Sequence, residues 1–348
     1  MEEAAARFPQ RKAYEDETCS MTFSEVRRLA ASIGTGIAAL QTPGRPVAVF
    51  MEKSALMAVS LLGVSCGGCI YCPVDVAMPE ARMDRILSVL EPAAVLTSGS
   101  MEARAREVCG DCPVLLVEDL AARPADEALL ASLRACIVPS DPLYILFTSG
   151  STGMPKGVVG THQTVLNNLE WLAFRFDLGP DDVLGNQAPL HFVVADHDLY
   201  CPLKFGCRSF FIPAGYFSFP AKLIPLLNQH RVTTVFWVPF ALGTIASLRA
   251  LDEILPEFLR YVFFVGEVMP VRQLNYWRAH VPSAHYINLY GSTEMYMCCY
   301  YEVDQEYTET DTLPIGGPCG GIGTLVLDEM DREILPGTAE IGDRKSVV

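Results

Sequence analysis

One stretch constrains the fold more than any other, residues 143–162, which read LYILFTSGSTGMPKGVVGTH. Leu143, Tyr144, Ile145, Leu146 and Phe147 form an unbroken apolar run that suits a buried strand. Thr148, Ser149, Gly150, Ser151, Thr152 and Gly153 follow without a bulky side chain, then Pro155, Lys156 and Gly157, and Val158-Val159 resumes an apolar strand. A strand running into a Gly/Ser/Thr loop that carries one lysine suits a polyphosphate. Glycines let backbone N–H groups approach the anion, hydroxyls add donors, and the lysine adds charge. The competing reading is a flexible surface linker, but linkers are not normally set between two apolar strands. The spacing is not that of a Walker loop, because Lys156 stands three residues after Gly153 and is followed by Gly157 rather than Ser or Thr.

Helix and strand patterns alternate on both sides of this loop. Residues 24–40 open with a capping serine, Ser24, and repeat apolar side chains at Val26, Leu29, Ile33 and Ile37, a helical spacing. Residues 47–50 read as a strand and 55–64 as an apolar helix. Pro79 starts a helix with Met83, Ile86, Leu87 and Leu90 on one face, and 93–96 and 114–117 are short strands. The Ala-rich residues 121–133 are expected to form a surface connection. Beyond the loop come a helix at 163–176, strands at 183–186 and 209–212, and a helix at 221–230. Strands at 233–237 and 261–265, a helix at 271–280 and a strand at 286–289 follow. Such alternation predicts doubly wound α/β layers, with sites at the carboxyl ends of parallel strands. After residue 300 the pattern changes to short strands, 325–327 and 333–335, between acidic and glycine-rich turns. The expected division is therefore α/β layers over 1–300 and a partial β-barrel over 301–348. Gly316-Gly317 and Gly320-Gly321 are read as turns, since no βαβ unit precedes them.

Hydrophobic residues make up 50% of the 348 and charged residues 19%, enough apolar material for a sizeable core in one large or two ordinary domains. The net charge of −15 argues against nucleic acid and against an anionic membrane surface as partners, since both need basic patches. A local loop can still hold phosphate against that global field. The N-terminus, MEEAAARF, is acidic and lacks the apolar segment of a signal peptide; with twelve cysteines expected to be reduced thiols, a cytoplasmic location is expected. Residues 55–74 carry no charge and are long enough to span a bilayer. Gly63, Gly67, Gly68 and Pro73 point instead to a buried helix that breaks and enters a strand. Cys66, Cys69 and Cys72 are spaced C-x-x-C-x-x-C, and Cys109 and Cys112 repeat C-x-x-C. Metal ligation and small buried packing are the two readings; Val76 stands where a bacterial ferredoxin places its fourth cysteine, which favours packing.

The loop resembles the phosphate-binding signature of the adenylate-forming, AMP-binding superfamily, and here that signature is complete. The superfamily holds acyl-CoA synthetases, luciferases and the adenylation domains of nonribosomal peptide synthetases. Asn288-Leu289-Tyr290-Gly291-Ser292-Thr293-Glu294 resembles its N-x-Y-G-x-T-E segment, residues 66–75 its A-G-G-x-Y-x-P-x-D segment, and Met21-Thr22-Phe23 the start of its L-T-Y-x-E-L segment. The phrases CPVD, GEVMPV and YGSTE carry a closer likeness to D-alanine–carrier protein ligases and peptide-synthetase adenylation domains. Gly337-Thr338-Ala339-Glu340-Ile341 resembles a later strand of the family. No match follows it to the T-G-D segment, the hinge or the small lysine-bearing domain. The resemblance thus implies the family's large domain over 1–348, incomplete at its C-terminal end, with the small C-terminal domain missing.

That resemblance implies attack of a carboxylate on the α-phosphate of ATP, giving acyl-adenylate and pyrophosphate. Such transfer needs positioning and charge neutralisation more than covalent catalysis. Thr148, Ser149, Gly150, Ser151, Thr152, Gly153 and Lys156 would hold the β- and γ-phosphates. Thr293 would contact the α-phosphate and Glu294 would ligate Mg²⁺, a hard cation suited to carboxylate. Lys156, Thr293 and Glu294 form the implied catalytic set. Tyr290 would cover adenine, the alternative being core packing. Asn288 would hydrogen-bond the adenine amino group, with Gly291 in the same segment and Gly266 and Glu267 bordering the ring. The implied thiol acceptor is the phosphopantetheine of an acyl or peptidyl carrier protein, or coenzyme A. A catalytically silent nucleotide-binding fragment is the rival from another class.

Residues 191–200, HFVVADHDLY, overlay the family's F-D-x-S-x-x-D/E segment. Val193 stands where amino-acid-activating members place the aspartate that binds the substrate ammonium. A buried ammonium without its counter-ion is costly. Either the acid lacks an α-amino group, or Asp196 takes over. His197 falls at a pocket-lining position, and Val194 and Val265 complete the candidate acid pocket. His191, Asp196, His197 and Asp198 also admit a metal reading, against which adjacent side chains point different ways.

Overall fold

The computed structural model describes residues 1–149, 154–327, 330, 332 and 333. The described strands form two sheets. The smaller runs, edge to edge, Val114–Leu116, Ala94–Thr97, Pro46–Phe50, Ile70–Val74, Pro142–Thr148 and Lys156–Thr161. Only its last pair is antiparallel. The larger runs Gly317–Pro318, Tyr296–Glu302, His285–Ser292, Tyr261–Phe264, Thr234–Trp237, Val183–Asn186, Arg208–Phe211, Lys12–Glu15 and Ser20–Thr22. Its middle is parallel and both its edges are antiparallel.

The two-residue period of the strands sorts their side chains into three cores. From the smaller sheet, Ala48, Phe50, Cys72 and Val74 face outward against Met83 and Leu90 of the helix Glu80–Leu90. Their neighbours Val47, Val49, Tyr71, Tyr144 and Leu146 face the other way, into a core shared with the helices Phe23–Ala38, Ala55–Cys66, His162–Arg175 and Asp196–Phe205. That central core also takes Leu184, Phe211, Phe236, Phe263 and Leu289 from the larger sheet. The opposite face of the larger sheet, with Phe210, Val235, Trp237, Val262 and Phe264, packs on the helices Pro220–Gln229, Pro239–Ser247 and Val271–His280. The result is helix, sheet, helix, sheet, helix, the layering expected when sheets are apolar on both faces.

Some local features depart from the sequence reading and others follow it. The first long helix, Phe23–Ala38, is capped by Thr22 and not Ser24. Thr22 Oγ1 accepts from Glu25 N at 3.3 Å and Glu25 accepts from Thr22 N at 2.8 Å, a reciprocal capping box set directly at the end of a strand. Residues 121–133 are not a plain connection. The helix Glu127–Cys136 forms there, capped by Asp126, which accepts from Leu129 N at 2.9 Å, and anchored by buried Leu130. The uncharged stretch 55–74 divides into the helix Ala55–Cys66, capped by Ser54, and the strand Ile70–Val74. Among the described residues no helix is long and apolar enough to cross a membrane. Cys69 packs in the central core and Cys72 in the outer one, so the cysteine triplet does not converge on one point. Lys156–Thr161 is an edge strand, which leaves Val159 exposed.

The strand Tyr296–Glu302 runs across residue 300, and Gly317–Pro318 adds to its edge, so the residues just after 300 extend the large sheet. Leu327 and Glu333 form an isolated antiparallel bridge. Residues 334–348, including the expected strand end at Leu335 and the segment Gly337–Ile341, lie outside the described residues.

Candidate functional site

The phosphate-type loop is closed by a hairpin. Thr148 and Lys156 are register partners across the antiparallel pair Pro142–Thr148 and Lys156–Thr161. Ser149 and Lys156 are exposed, and Lys156 forms no ion pair among the described residues. Gly150, Ser151, Thr152 and Gly153 lie outside the described residues. Ser149 Oγ accepts from Arg82 Nη2 at 3.4 Å.

The second signature also ends in a hairpin. The strand His285–Ser292 pairs in parallel with Tyr261–Phe264 on one side and antiparallel with Tyr296–Glu302 on the other. Thr293 and Glu294 occupy the turn between them. Gly291 is required there, because a Cβ on it would overlap the carbonyl oxygen of Tyr296. Thr293 is half-buried. Glu294 is exposed, with neither a hydrogen bond nor an ion pair among the described residues. A free carboxylate of this kind fits Mg²⁺, which is usually held by one or two carboxylates together with phosphate oxygens and waters. No group of three His, Cys, Asp or Glu side chains among the described residues could hold a metal by itself. Asn288 Nδ2 donates to the Pro314 carbonyl at 2.8 Å, which leaves Oδ1 as the acceptor on that side chain. Tyr290 is half-buried. Gly266, at the end of Tyr261–Phe264, has φ 97°, a conformation that favours glycine. Glu267 is already engaged, its carboxylate accepting from Phe240 N at 3.0 Å at the start of the helix Pro239–Ser247.

The acid-pocket segment, to which the sequence assigned no element, is helical. A 3₁₀ turn, Val193–Ala195, leads into the helix Asp196–Phe205, which ends at Gly206 with φ 74°. Pro202 inside that helix masks its pattern in the sequence. Val193, Val194 and Val265 are all buried and apolar. Asp196 is buried, its Oδ2 has no partner, and burial pushes its carboxyl well above the usual carboxylate range. Tyr71, Tyr144, Tyr200 and Tyr296 lie within reach of its charge. Each titrates above its ordinary range, through burial first and through the Asp196 charge among the further causes. The Tyr71 and Tyr200 hydroxyls share a hydrogen bond of 2.7 Å, and the Tyr71 and Tyr144 rings lie 5.9 Å apart.

His197 stacks on Phe236 at 4.2 Å and lies 5.8 Å from Tyr296. Its Nδ1 donates to the Val194 carbonyl at 2.9 Å, and Nε2 has no partner. Burial pulls its pKa down to about 4 against that bond, so the ring is neutral near pH 7. Asp198 accepts from Asn186 Nδ2 at 2.8 Å; burial pushes its carboxyl up to about 7, opposed by Asn186 and Lys53. Lys53 donates to the Gln187 carbonyl at 3.0 Å, and burial brings its pKa down to about 8 against the pull of Asp198. Asp196, His197 and Asp198, three of the residues of the metal reading, occupy consecutive helical positions and so point in different directions.

Three distant stretches thus meet at one buried cluster. Tyr144 belongs to the strand that enters the phosphate-type loop, Tyr296 to the strand that leaves the second signature, and Asp196 to the acid-pocket segment. A groove of about 420 Å³ runs beside that segment, lined by Lys53, Asp75, Gln187, His191, Phe192 and Phe217. The tyrosines and Arg82 were not singled out from the sequence. Only Arg82 carried a local signal, as a cation in a helix's first turn, where the macrodipole disfavours it.

A protein-family model described as AMP-binding enzyme matches residues 1–343. An L-proline–[L-prolyl-carrier protein] ligase of Streptomyces coelicolor is 32% identical over 333 residues, covering 90% of this chain and 63% of that protein. Vanchrobactin synthetase VabF of Vibrio anguillarum is 31% identical over 301 residues, 84% of this chain and 10% of that protein. The solved structure of the nonribosomal peptide synthetase FmoA3 aligns with a TM-score of 0.85 at 26% identity, covering 95% of this chain and 35% of that one. The chain therefore spans less than two thirds of the length of each of these relatives. A glycine-rich loop with a free lysine, a hairpin with a free glutamate and a match across 1–343 agree, and the chain belongs to the AMP-binding enzyme family.

Proposed function

We propose that this chain binds MgATP and activates a small carboxylic or amino acid as its adenylate, for thioester transfer to the phosphopantetheine of a carrier protein. The observation that carries the reading is the pair of unengaged charges, Lys156 at one hairpin and Glu294 at the other, in hairpins whose tyrosines, Tyr144 and Tyr296, meet at the acid-pocket helix. Lys156 and the described loop residues Thr148 and Ser149 would neutralise and orient the β- and γ-phosphates. Thr293 would approach the α-phosphate. Glu294 would hold Mg²⁺, which would offset phosphate charge during attack by the carboxylate. Tyr290 and the Oδ1 of Asn288 would face adenine, with Gly266 leaving room at the ring edge. Glu267 would act through the fold, since its carboxylate holds Phe240 N. A carrier protein as acceptor is supported by relatives named as L-prolyl-carrier protein ligase and as peptide synthetases.

The acid is read from Val193 and Val194. Both are buried and apolar, and the buried Asp196 carboxyl is held towards its neutral form, so neither position 193 nor Asp196 offers an ammonium a ready counter-charge. An unpaired ammonium there would lose several kcal/mol. The favoured substrate is accordingly a small acid without an α-ammonium, although the prolyl ligases named above take an amino acid. A panel of acids in ATP–pyrophosphate exchange, run on wild type and Val193→Asp, tests this. Val193→Asp is expected to shift preference towards α-amino acids. A wild type that already prefers an amino acid, and loses that preference in Asp196→Ala, would make Asp196 the amine ligand. Thioester formation on a carrier protein rather than on coenzyme A tests the acceptor.

A further inference from the structure

Arg82 is the cation that the site described so far leaves without a task. It lies in the first turn of the helix Glu80–Leu90, where a positive charge opposes the macrodipole, so helix stability does not account for it. It is exposed and forms no ion pair among the described residues, in a chain with 41 acidic and 26 basic side chains. Its Nη2 instead reaches Ser149 Oγ at 3.4 Å, at the mouth of the phosphate-type loop. Lys156 closes the same loop from the other side, opposite Thr148. Asp75, whose charge bears on His191 as that of Arg82 does, accepts from Ala77 N at 2.9 Å. His191 is kept neutral, by burial first and with Arg82 adding to the effect against Asp75, so it competes little for an anion.

We propose that Arg82 is a second cationic contact for the bound polyphosphate, meeting phosphate oxygens beside Ser149 across the loop from Lys156. The inference rests on the ATP reading above. A guanidinium suits the role, because its planar fork can engage two phosphate oxygens at once where an ammonium acts as a point charge. Its contact would be to the outer phosphates, so a ligand that lacks them would not feel it. The surface position means that truncation should leave the fold intact.

Calorimetry on wild type, Arg82→Ala and Arg82→Lys tests the proposal, with MgATP, magnesium pyrophosphate and AMP as the three probes. Arg82→Ala is expected to weaken MgATP and pyrophosphate by about tenfold or more, to leave AMP unchanged, and to be partly rescued by Arg82→Lys. Equal MgATP affinity in wild type and Arg82→Ala, or an equal loss for AMP and pyrophosphate, overturns the role of Arg82 while the ATP reading stands. Failure of the wild type itself to bind MgATP removes the ATP reading and this inference with it.

Discussion

The loop ends and the acid-pocket helix both gather polar side chains, and they hold them in opposite ways. Ser149, Lys156 and Glu294 are exposed, and the two charges have no partner among the described residues. Asp196, His197 and Asp198 are sealed in the central layer, each with an unpartnered ring nitrogen or carboxyl oxygen and a pKa displaced by burial. Exposed charges without partners cost the fold little and remain available to a ligand. Buried ones cost the fold directly and are restrained by their neighbours. Substitutions in the first region should therefore move binding, and those in the second should move stability.

The scaffold of the exposed region is the exception, and it should show the largest effect. Gly291→Val would force a Cβ into the Tyr296 carbonyl and break the turn that presents Thr293 and Glu294. A loss of about 4 kcal/mol in unfolding free energy is expected from denaturant titration, with MgATP binding lost as well. A variant of wild-type stability would mean that the hairpin closes another way.

The buried region should next reveal itself through pH. His197 has a folded pKa of about 4 against an ordinary 6.5, so between these values the unfolded chain binds the extra proton. Stability tied to His197 is thus present above pH 6.5 and lost as pH falls towards 4, by about 3 kcal/mol. Asp198 works in the other direction: its raised pKa, about 7, costs stability as pH climbs from the carboxylate range. The difference between wild type and His197→Gln isolates the histidine, and should shrink steadily from pH 7 to pH 4. A pH-independent difference would show that the ring is not held neutral by burial.

Lys156→Ala and Glu294→Ala form the counterpart. Each should weaken MgATP about tenfold while leaving the denaturation midpoint in place. Unchanged affinity in both would remove their assigned roles and undo the contrast between the two regions.

The difference between the regions also governs what could be read from the sequence. The loop and the N-L-Y-G-S-T-E stretch are contiguous, and their glycines and hydroxyls have local reasons to sit together, so both were legible without tertiary information. Alternating apolar runs gave the layers for the same reason, since each strand's period depends only on its own residues. The tyrosine cluster had no such signal. Tyr71, Tyr144, Tyr200 and Tyr296 lie in four separate elements, each indistinguishable from ordinary core packing until the sheets close on the central helices. The helix Asp196–Phe205 was obscured by its internal proline, and the bond between Glu267 and Phe240 N had no local signal because that amide belongs to a distant helix.

The smallest predicted effect separates a structural hydrogen bond from a binding contact. The Tyr71 and Tyr200 hydroxyls bond to each other at 2.7 Å inside the central core. Tyr71→Phe removes one partner and leaves the Tyr200 hydroxyl buried without that bond, a loss of about 1 kcal/mol. Removing both hydroxyls takes away the unmet partner along with the bond, so Tyr71→Phe combined with Tyr200→Phe should cost less than the sum of the two single changes. Denaturant midpoints of the two single variants and the double measure this directly. MgATP affinity should stay at the wild-type value throughout, because neither hydroxyl reaches the loop or the hairpin turn. Additive losses would mean that the two hydroxyls act independently, and a drop in MgATP affinity in either single variant would tie the cluster to the ligand rather than to the fold.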